Sequence, residues 1–178
     1  DITTAEIISI IRNAGISGMG GAAFPTYAKL QSALGKVDKL IINCAECEPV
    51  ITVNHRLLLE QPTTVINGIK ILLKALGINE AYIGIEDNKP DAIALLQEKA
   101  AAETGIEVCV AKTKYPQGGE KMLIKRVLGR SVPSGKLPAD VGAVVSNIST
   151  VKAISDAIQT GMPLIRRVTT VTGKYIPN

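Results

Sequence analysis

The sequence predicts an α/β fold, a Rossmann-like parallel sheet with helices on both faces. Three observations predict it. Short aliphatic runs alternate with amphipathic segments of about ten residues or more, the pattern of parallel strands joined by helical crossovers. Proline and glycine stand at the ends of the amphipathic segments, where helices start and stop. Polar loops follow three of the aliphatic runs, and in such sheets ligands lie at the carboxyl ends of strands.

Thr3 with Glu6 reads as a capping box, opening a helix that carries Ile7, Ile8, Ile10 and Ile11 and stops at Gly15. A glycine-dense stretch then leads through Phe24-Pro25-Thr26 into a short helix ending at Leu34. Lys39 to Asn43 (KLIIN) reads as a buried strand. Pro62 opens a helix with Val65, Ile66, Ile69, Leu72, Leu73 and Leu76 at helical spacing, and Gly77 closes it. Ala81 to Ile85 is a second strand, Ile93 to Ala102 a helix, and Ile106 to Ala111 a third strand. After Gly118-Gly119 come a helix near Met122 to Leu128, a loop from Arg130 to Asp140 and a strand from Val141 to Ser146. A helix near Thr150 to Gln159 and a β-branched segment, Ile165 to Thr172, complete the pattern.

Composition narrows the function classes. With 46% hydrophobic but 3% aromatic residues, the core is built from Ile, Leu, Val and Ala. The net charge of +4 comes from scattered Lys and Arg, so the basic stripe with stacking aromatics that nucleic acid requires is not visible. Nor is there an apolar run of the roughly 18–20 residues that spans a bilayer. Three cysteines argue against a secreted disulfide scaffold and for a reducing, cytoplasmic setting. Because Asp1 rather than Met comes first, the reading frame is expected to begin upstream.

Four groups of residues could carry chemistry. Gly15, Gly18, Gly20 and Gly21 either cradle a phosphate with their backbone amides or shape a turn; they follow a helix, which a dinucleotide fingerprint does not. Lys29 would add a cation. Cys44 and Cys47 have the spacing of a zinc, iron–sulfur or redox pair. With Cys109 and His55 as the remaining ligand types, buried thiols are the preferred reading. Glu46 and Glu48, just past a strand end, suit ribose hydroxyls or a solvated loop. Tyr115, Gly118 and Glu120 flank a turn, and Asn147 and Thr150 suit a strand-end turn and a helix cap. His55, beside Arg56, reads as a surface residue. No hydrolytic constellation is assembled, which favours chemistry carried by a bound cofactor.

The stretches Gly18-Met-Gly-Gly-Ala-Ala-Phe-Pro-Thr26, Asn43 to Pro49, Tyr115 to Lys121 and Pro133 to Pro138 resemble RnfC. They are similar, more distantly, to the FMN-binding, NADH-oxidising flavoprotein subunit of respiratory complex I. The resemblance runs over nearly the whole chain and implies an α/β domain at 1–166 that binds FMN and NADH. It implies further that 167–178 starts a β-grasp domain, and that the [4Fe-4S] clusters belong to another domain. By the resemblance, Gly18, Gly20, Gly21, Lys29, Asn43, Asn147 and Thr150 surround the FMN and its phosphate, and Phe24 stacks on the nicotinamide nucleotide. Glu46, Glu48, Tyr115, Gly118 and Glu120 lie about the flavin and nucleotide. The implied activity is hydride transfer from NADH to FMN, with electrons leaving through iron–sulfur centres. The implied partners are other subunits of an electron-transfer complex, at the inner face of the cell membrane without direct insertion. Ala45 and Gly119 stand where the complex I subunit has Asp and Glu, so flavin potential or nucleotide use is expected to differ.

Overall fold

The computed structural model describes residues 2–174 and 176. Its centre is a four-stranded, fully parallel sheet in the order β3-β2-β1-β4, formed by β1 (Lys39–Asn43), β2 (Ala81–Glu86), β3 (Ile106–Ala111) and β4 (Ala143–Asn147). The chain lays down β1, β2 and β3 outward in one direction and then returns to place β4 on the other side of β1. The order therefore reverses between β1 and β4, the crevice in which open α/β sheets bind ligands. Asn43 and Asn147 are register partners at the carboxyl ends of these two strands.

Helices cover both faces. On β1, Leu40 and Ile42 belong to the large core, where α1 (Thr4–Asn13), α4 (Pro62–Leu76) and α7 (Ile148–Thr160) pack together. Ile41 points the other way, against Leu123 and Ile124 of α6 (Glu120–Leu128), as strand alternation requires. All three β1 residues are fully buried, each side chain contributing roughly 1.5–3 kcal/mol by removal from water. On the large face α4 and α7 cross at Gly68, where an added Cβ would lie 2.4 Å from the Val151 carbonyl oxygen.

Local signals work where the stabilising partner is near in sequence. Thr3 and Glu6 form the capping box at the start of α1. Gly77 closes α4 in the left-handed conformation, φ 68°. Several boundaries differ from the sequence expectation, and three of them bear on the site. β2 runs one residue further, to Glu86. β4 starts at Ala143 rather than Val141, because Pro138–Val141 is a 3-10 turn ended by Gly142 at φ 76°. α7 starts at Ile148, because Asn147 is its N-cap and accepts from the Ser149 amide at 2.9 Å; Thr150 lies inside the helix.

One departure is larger. The polar stretch around His55 is a helix, α3 (Val53–Glu60), packed through Leu57 and Leu58. His55 is three-quarters buried at its side chain and its Nε2 lies 2.8 Å from Asp91, so it is not a free surface residue. The β-branched run Ile165 to Thr172 forms no strand among the described residues. It crosses the surface as an extended segment tied by Leu164 to Ala14 and by Thr170 to Thr52. Positions 175, 177 and 178 of the expected β-grasp start lie outside the described residues.

Candidate functional site

A cleft of about 520 Å³ opens at the carboxyl ends of β1 and β4, within the usual range for small-molecule sites. Its walls come from five separate chain segments, and the sequence dictates how each is held. The glycine loop is closed at its base by the Gly18 amide donating to the Phe24 carbonyl at 2.8 Å, and by the Thr26 amide donating to Ile16. It is pinned to α7 by the Met19 amide, which donates to Thr150 Oγ at 2.9 Å. Gly20 packs on Asn147, and Gly21 adopts φ 120° with open space where a side chain would stand.

The β1 and β3 loops are tied together at Gly118. Asn43 Nδ2 donates to the Gly118 carbonyl at 2.8 Å and Asn43 Oδ1 accepts from the Ala45 amide. The Gly118 amide donates to Cys47 Sγ at 2.9 Å. An added Cβ on Gly118 would sit 3.2 Å from that sulfur and 3.3 Å from the Ala45 Cβ, so the loops are in contact and tolerate little there. The β1 loop carries on into α3, whose Val53 and Asn54 line the same side, and the fourth and fifth walls are the β4–α7 turn, through Asn147 and Ser149, and the segment Arg167 to Thr170.

Of the residues expected from the sequence, Gly20, Gly21, Asn43, Glu46, Glu48, Tyr115, Gly118 and Asn147 line this cleft together. Gly18 and Thr150 stand behind it as the loop's closing and pinning groups. Phe24 is exposed at the loop's base and does not line the cleft. Lys29 and Glu120 pair with each other at 2.9 Å, and Lys29 also donates to the Val145 carbonyl at 2.7 Å; neither lines the cleft.

Glu46 faces away from solvent. Its two oxygens accept the Asn54 amide at 2.7 Å and the His55 amide at 3.2 Å, capping the first turn of α3. Burial pushes its carboxyl above the usual range, against the opposing effects of those amides and of Lys89 and His55. Glu86 and Lys89 close in beneath it. Neither is among the residues expected from the sequence, although the strand-end rule that points to the loops after β1, β3 and β4 points equally to the loop after β2.

The cysteine pair divides. Cys44 is fully buried in the core, and burial pushes its thiol well above the ordinary value, whereas Cys47 faces the cleft. Among the described residues no group of three or more His, Cys, Asp or Glu could hold a metal ion. Replacing both by serine is expected to leave FMN affinity within about threefold, a change of about 0.7 kcal/mol. Stability should fall by about 1–3 kcal/mol, because the hydroxyl at position 44 enters an apolar site. Flavin titration beside thermal melting checks both halves.

Residues 11–156 match the family described as the Nuo51 FMN-binding domain. This chain belongs to that family of flavin-binding domains. It is 52% identical, over 99% of its length, to the subunit lettered C in the proton-translocating ferredoxin:NAD(+) oxidoreductase complex of Clostridium ljungdahlii. It is 50% identical, over 97% of its length, to the like-lettered subunit of an ion-translocating oxidoreductase complex from Vibrio cholerae. The chain spans 38% and 22% of those two relatives. A solved NAD+-reducing [NiFe]-hydrogenase superposes with TM-score 0.77 at 25% identity, over 88% of this chain and 30% of that one. The resemblance to RnfC read from the loops therefore holds along the whole chain, and the fold is that of the complex I-type flavin domain. No helix among the described residues is long and apolar enough to cross a membrane.

Proposed function

We propose that this chain is the flavin-binding module of an electron-transfer complex, taking hydride equivalents from NADH through FMN and passing electrons on to iron–sulfur centres elsewhere in the protein. The observation that carries the proposal is the cleft at the β1/β4 reversal. There an open glycine loop, Asn43 and Asn147 converge on one space. The cleft residues fit a flavin. The space before Gly21 is free, so backbone can approach a ligand, and the start of α7 points its amides and dipole into the same region.

FMN, when bound, supplies the two-electron chemistry that no side chain here offers. The residues bind and orient. Asn43 and Asn147 fix the two strand ends, Thr150 fixes the glycine loop, and Glu48 and Tyr115 border the mouth toward the nucleotide. Lys29 reaches a phosphate by exchanging its Glu120 contact, a half-exposed ion pair worth no more than about 1 kcal/mol. Phe24, exposed at the loop's base, is free to meet a nucleotide arriving from outside. Membership of a larger complex is supported by the relatives, which are named as subunits of ion-translocating oxidoreductase complexes; a position at the inner face of a membrane through other subunits rests on the resemblance to RnfC. The start of a β-grasp domain from residue 167 onward rests on the resemblance to RnfC alone.

Adding FMN to the purified chain and passing it over a gel-filtration column should give a yellow peak with a one-to-one flavin content. Stopped-flow mixing with NADH should then bleach the flavin. A folded chain that elutes colourless at saturating FMN sinks the proposal. Bleaching by dithionite but by neither NADH nor NADPH would instead mark a flavin electron carrier, and a melting temperature that does not rise with FMN concentration would mark a non-catalytic scaffold within a larger complex, the reading that the small residues Ala45 and Gly119 in the cleft wall would favour.

A further inference from the structure

Where Glu46 lines the cleft, three charged side chains are buried together. Glu46 follows β1, Glu86 ends β2 and Lys89 precedes α5 (Pro90–Ala101), with side-chain exposures of 3%, 1% and 7%. The Lys89 ammonium lies 3.9 Å from Glu46 and 3.6 Å from Glu86 and donates to Asn88 Oδ1 at 3.0 Å. Glu86 Oε2 accepts the Glu46 amide at 3.1 Å, while its Oε1 is buried without a hydrogen-bond partner. One ammonium thus faces two carboxylates out of water, an arrangement whose desolvation its ion pairs only partly offset.

Glu46 spends both of its oxygens on α3. The helix needs them, because its N-cap residue Thr52 makes no side-chain cap. Asn54, on that first turn, also donates to the Ala45 carbonyl at 3.2 Å and lines the cleft. One buried carboxylate therefore accepts two amides of the helix turn that walls the cleft.

We propose that Lys89 and Glu86 are positioning residues acting on the cleft through Glu46: Lys89 keeps Glu46 ionised so that it caps α3, Glu86 opposes it, and their balance sets the pH at which the α3 wall is released. Release is a single proton taken from solvent by Glu46. The protonated oxygen becomes an O–H donor and gives up one of the two α3 amides. Burial raises the Glu46 carboxyl, so the release comes above the ordinary glutamate range near pH ~4.3. The other groups that face Glu46 are the thiol of Cys44, just past β1, and the His55 ring of α3, the latter held to Asp91 of α5. Glu48, on the same loop, is exposed.

The effect on ligand binding rests on the flavin proposal, but the latch itself can be read without flavin. In the 15N-labelled chain, the Asn54 and His55 amide shifts are followed against pH. Lys89→Met should raise the midpoint by about one pH unit or more, tenfold in proton affinity, because it removes the charge that favours the carboxylate. Lys89→Arg should restore it. Glu86→Gln, nearly isosteric, should lower it, because it removes the charge that disfavours the carboxylate. His55→Gln removes the imidazole and should leave the Asn54 transition in place.

Opposite displacements by Lys89→Met and Glu86→Gln support the latch, since a purely structural role would move neither midpoint. Absence of any Asn54 transition, or displacement of both midpoints in one direction, overturns it. If Lys89→Met does not fold, a Glu86→Gln midpoint that stays put or rises is enough to overturn it. FMN titrations of the same variants should show affinity falling with the same midpoints. Amide midpoints that move as expected in a chain that never binds FMN would keep the latch and remove the flavin proposal.

Discussion

Replacing Gly20 or Gly21 by valine is expected to lower FMN affinity by about a hundredfold or more, some 2.7 kcal/mol, with the fold retained. The two variants fail for different reasons. At Gly20 a Cβ would already touch the Asn147 Cβ at 3.4 Å, so a branched side chain must displace the residue that caps α7. At Gly21 nothing lies within 4 Å, but φ is 120°, a conformation closed to a β-branched residue. The loop there has to move, and the strain of holding it is about 1–3 kcal/mol. Both glycines are exposed, so neither change opens the core, and far-UV circular dichroism should be unaltered.

Gly20→Ala separates shape from access, since its Cβ sits at ordinary contact distance. It should fold and melt as the parent does and lose FMN affinity by less than about tenfold, 1.4 kcal/mol. Tight FMN binding by Gly21→Val, measured by flavin fluorescence, would show that these glycines shape a turn and nothing more. That result would remove the most specific support for the flavin assignment.

The candidate site is legible in the sequence where a polar residue closes an apolar strand. Asn43 and Asn147 could be placed because KLIIN and the run before Asn147 are apolar strands, and a polar residue closing each must sit at the sheet's carboxyl edge. Their register pairing could not be read, since it depends on strand order. α3 escaped for a physical reason: its cap is the carboxylate of Glu46, eight positions from Asn54, and no local signal marks a helix capped at that distance. His55 looked solvent-facing because its partner Asp91 lies on a helix far along the chain. Lys29 beside a glycine loop suggested a free cation, and only the packing of α6 against the sheet brings Glu120 to it. Cys44 and Cys47 share a spacing used for metals, yet one side chain belongs to the core and the other to the cleft, a division set by the chain's turn out of β1.

The other large effect is expected at Gly68, which does not line the cleft, and it tests how the site is held. Alanine at this helical position would by propensity alone stabilise α4 by about 0.8–1.0 kcal/mol. Packing opposes it. The added Cβ would lie 2.4 Å from the Val151 carbonyl oxygen and 2.7 Å from Val151 Cγ1, and the first of these is backbone that cannot rotate aside. α7 must therefore back away from α4, an overpacking cost of about 1–3 kcal/mol and at times more. A net loss of about 2 kcal/mol corresponds to a melting temperature lower by about 4–8 °C for a chain of this size. The same displacement moves the start of α7, where Asn147 faces Gly20 and Thr150 holds the Met19 amide. FMN affinity should fall about tenfold, 1.4 kcal/mol, even at temperatures where the variant is fully folded. Gly161→Ala is the control. It strains the far end of α7, at φ 71° with nothing within 4 Å, and should cost about 1 kcal/mol without touching flavin affinity. Calorimetry beside flavin titration reads both variants. A Gly68→Ala chain with parental melting temperature and affinity would show that α7 tolerates the shift and that the cleft is set by its loops alone.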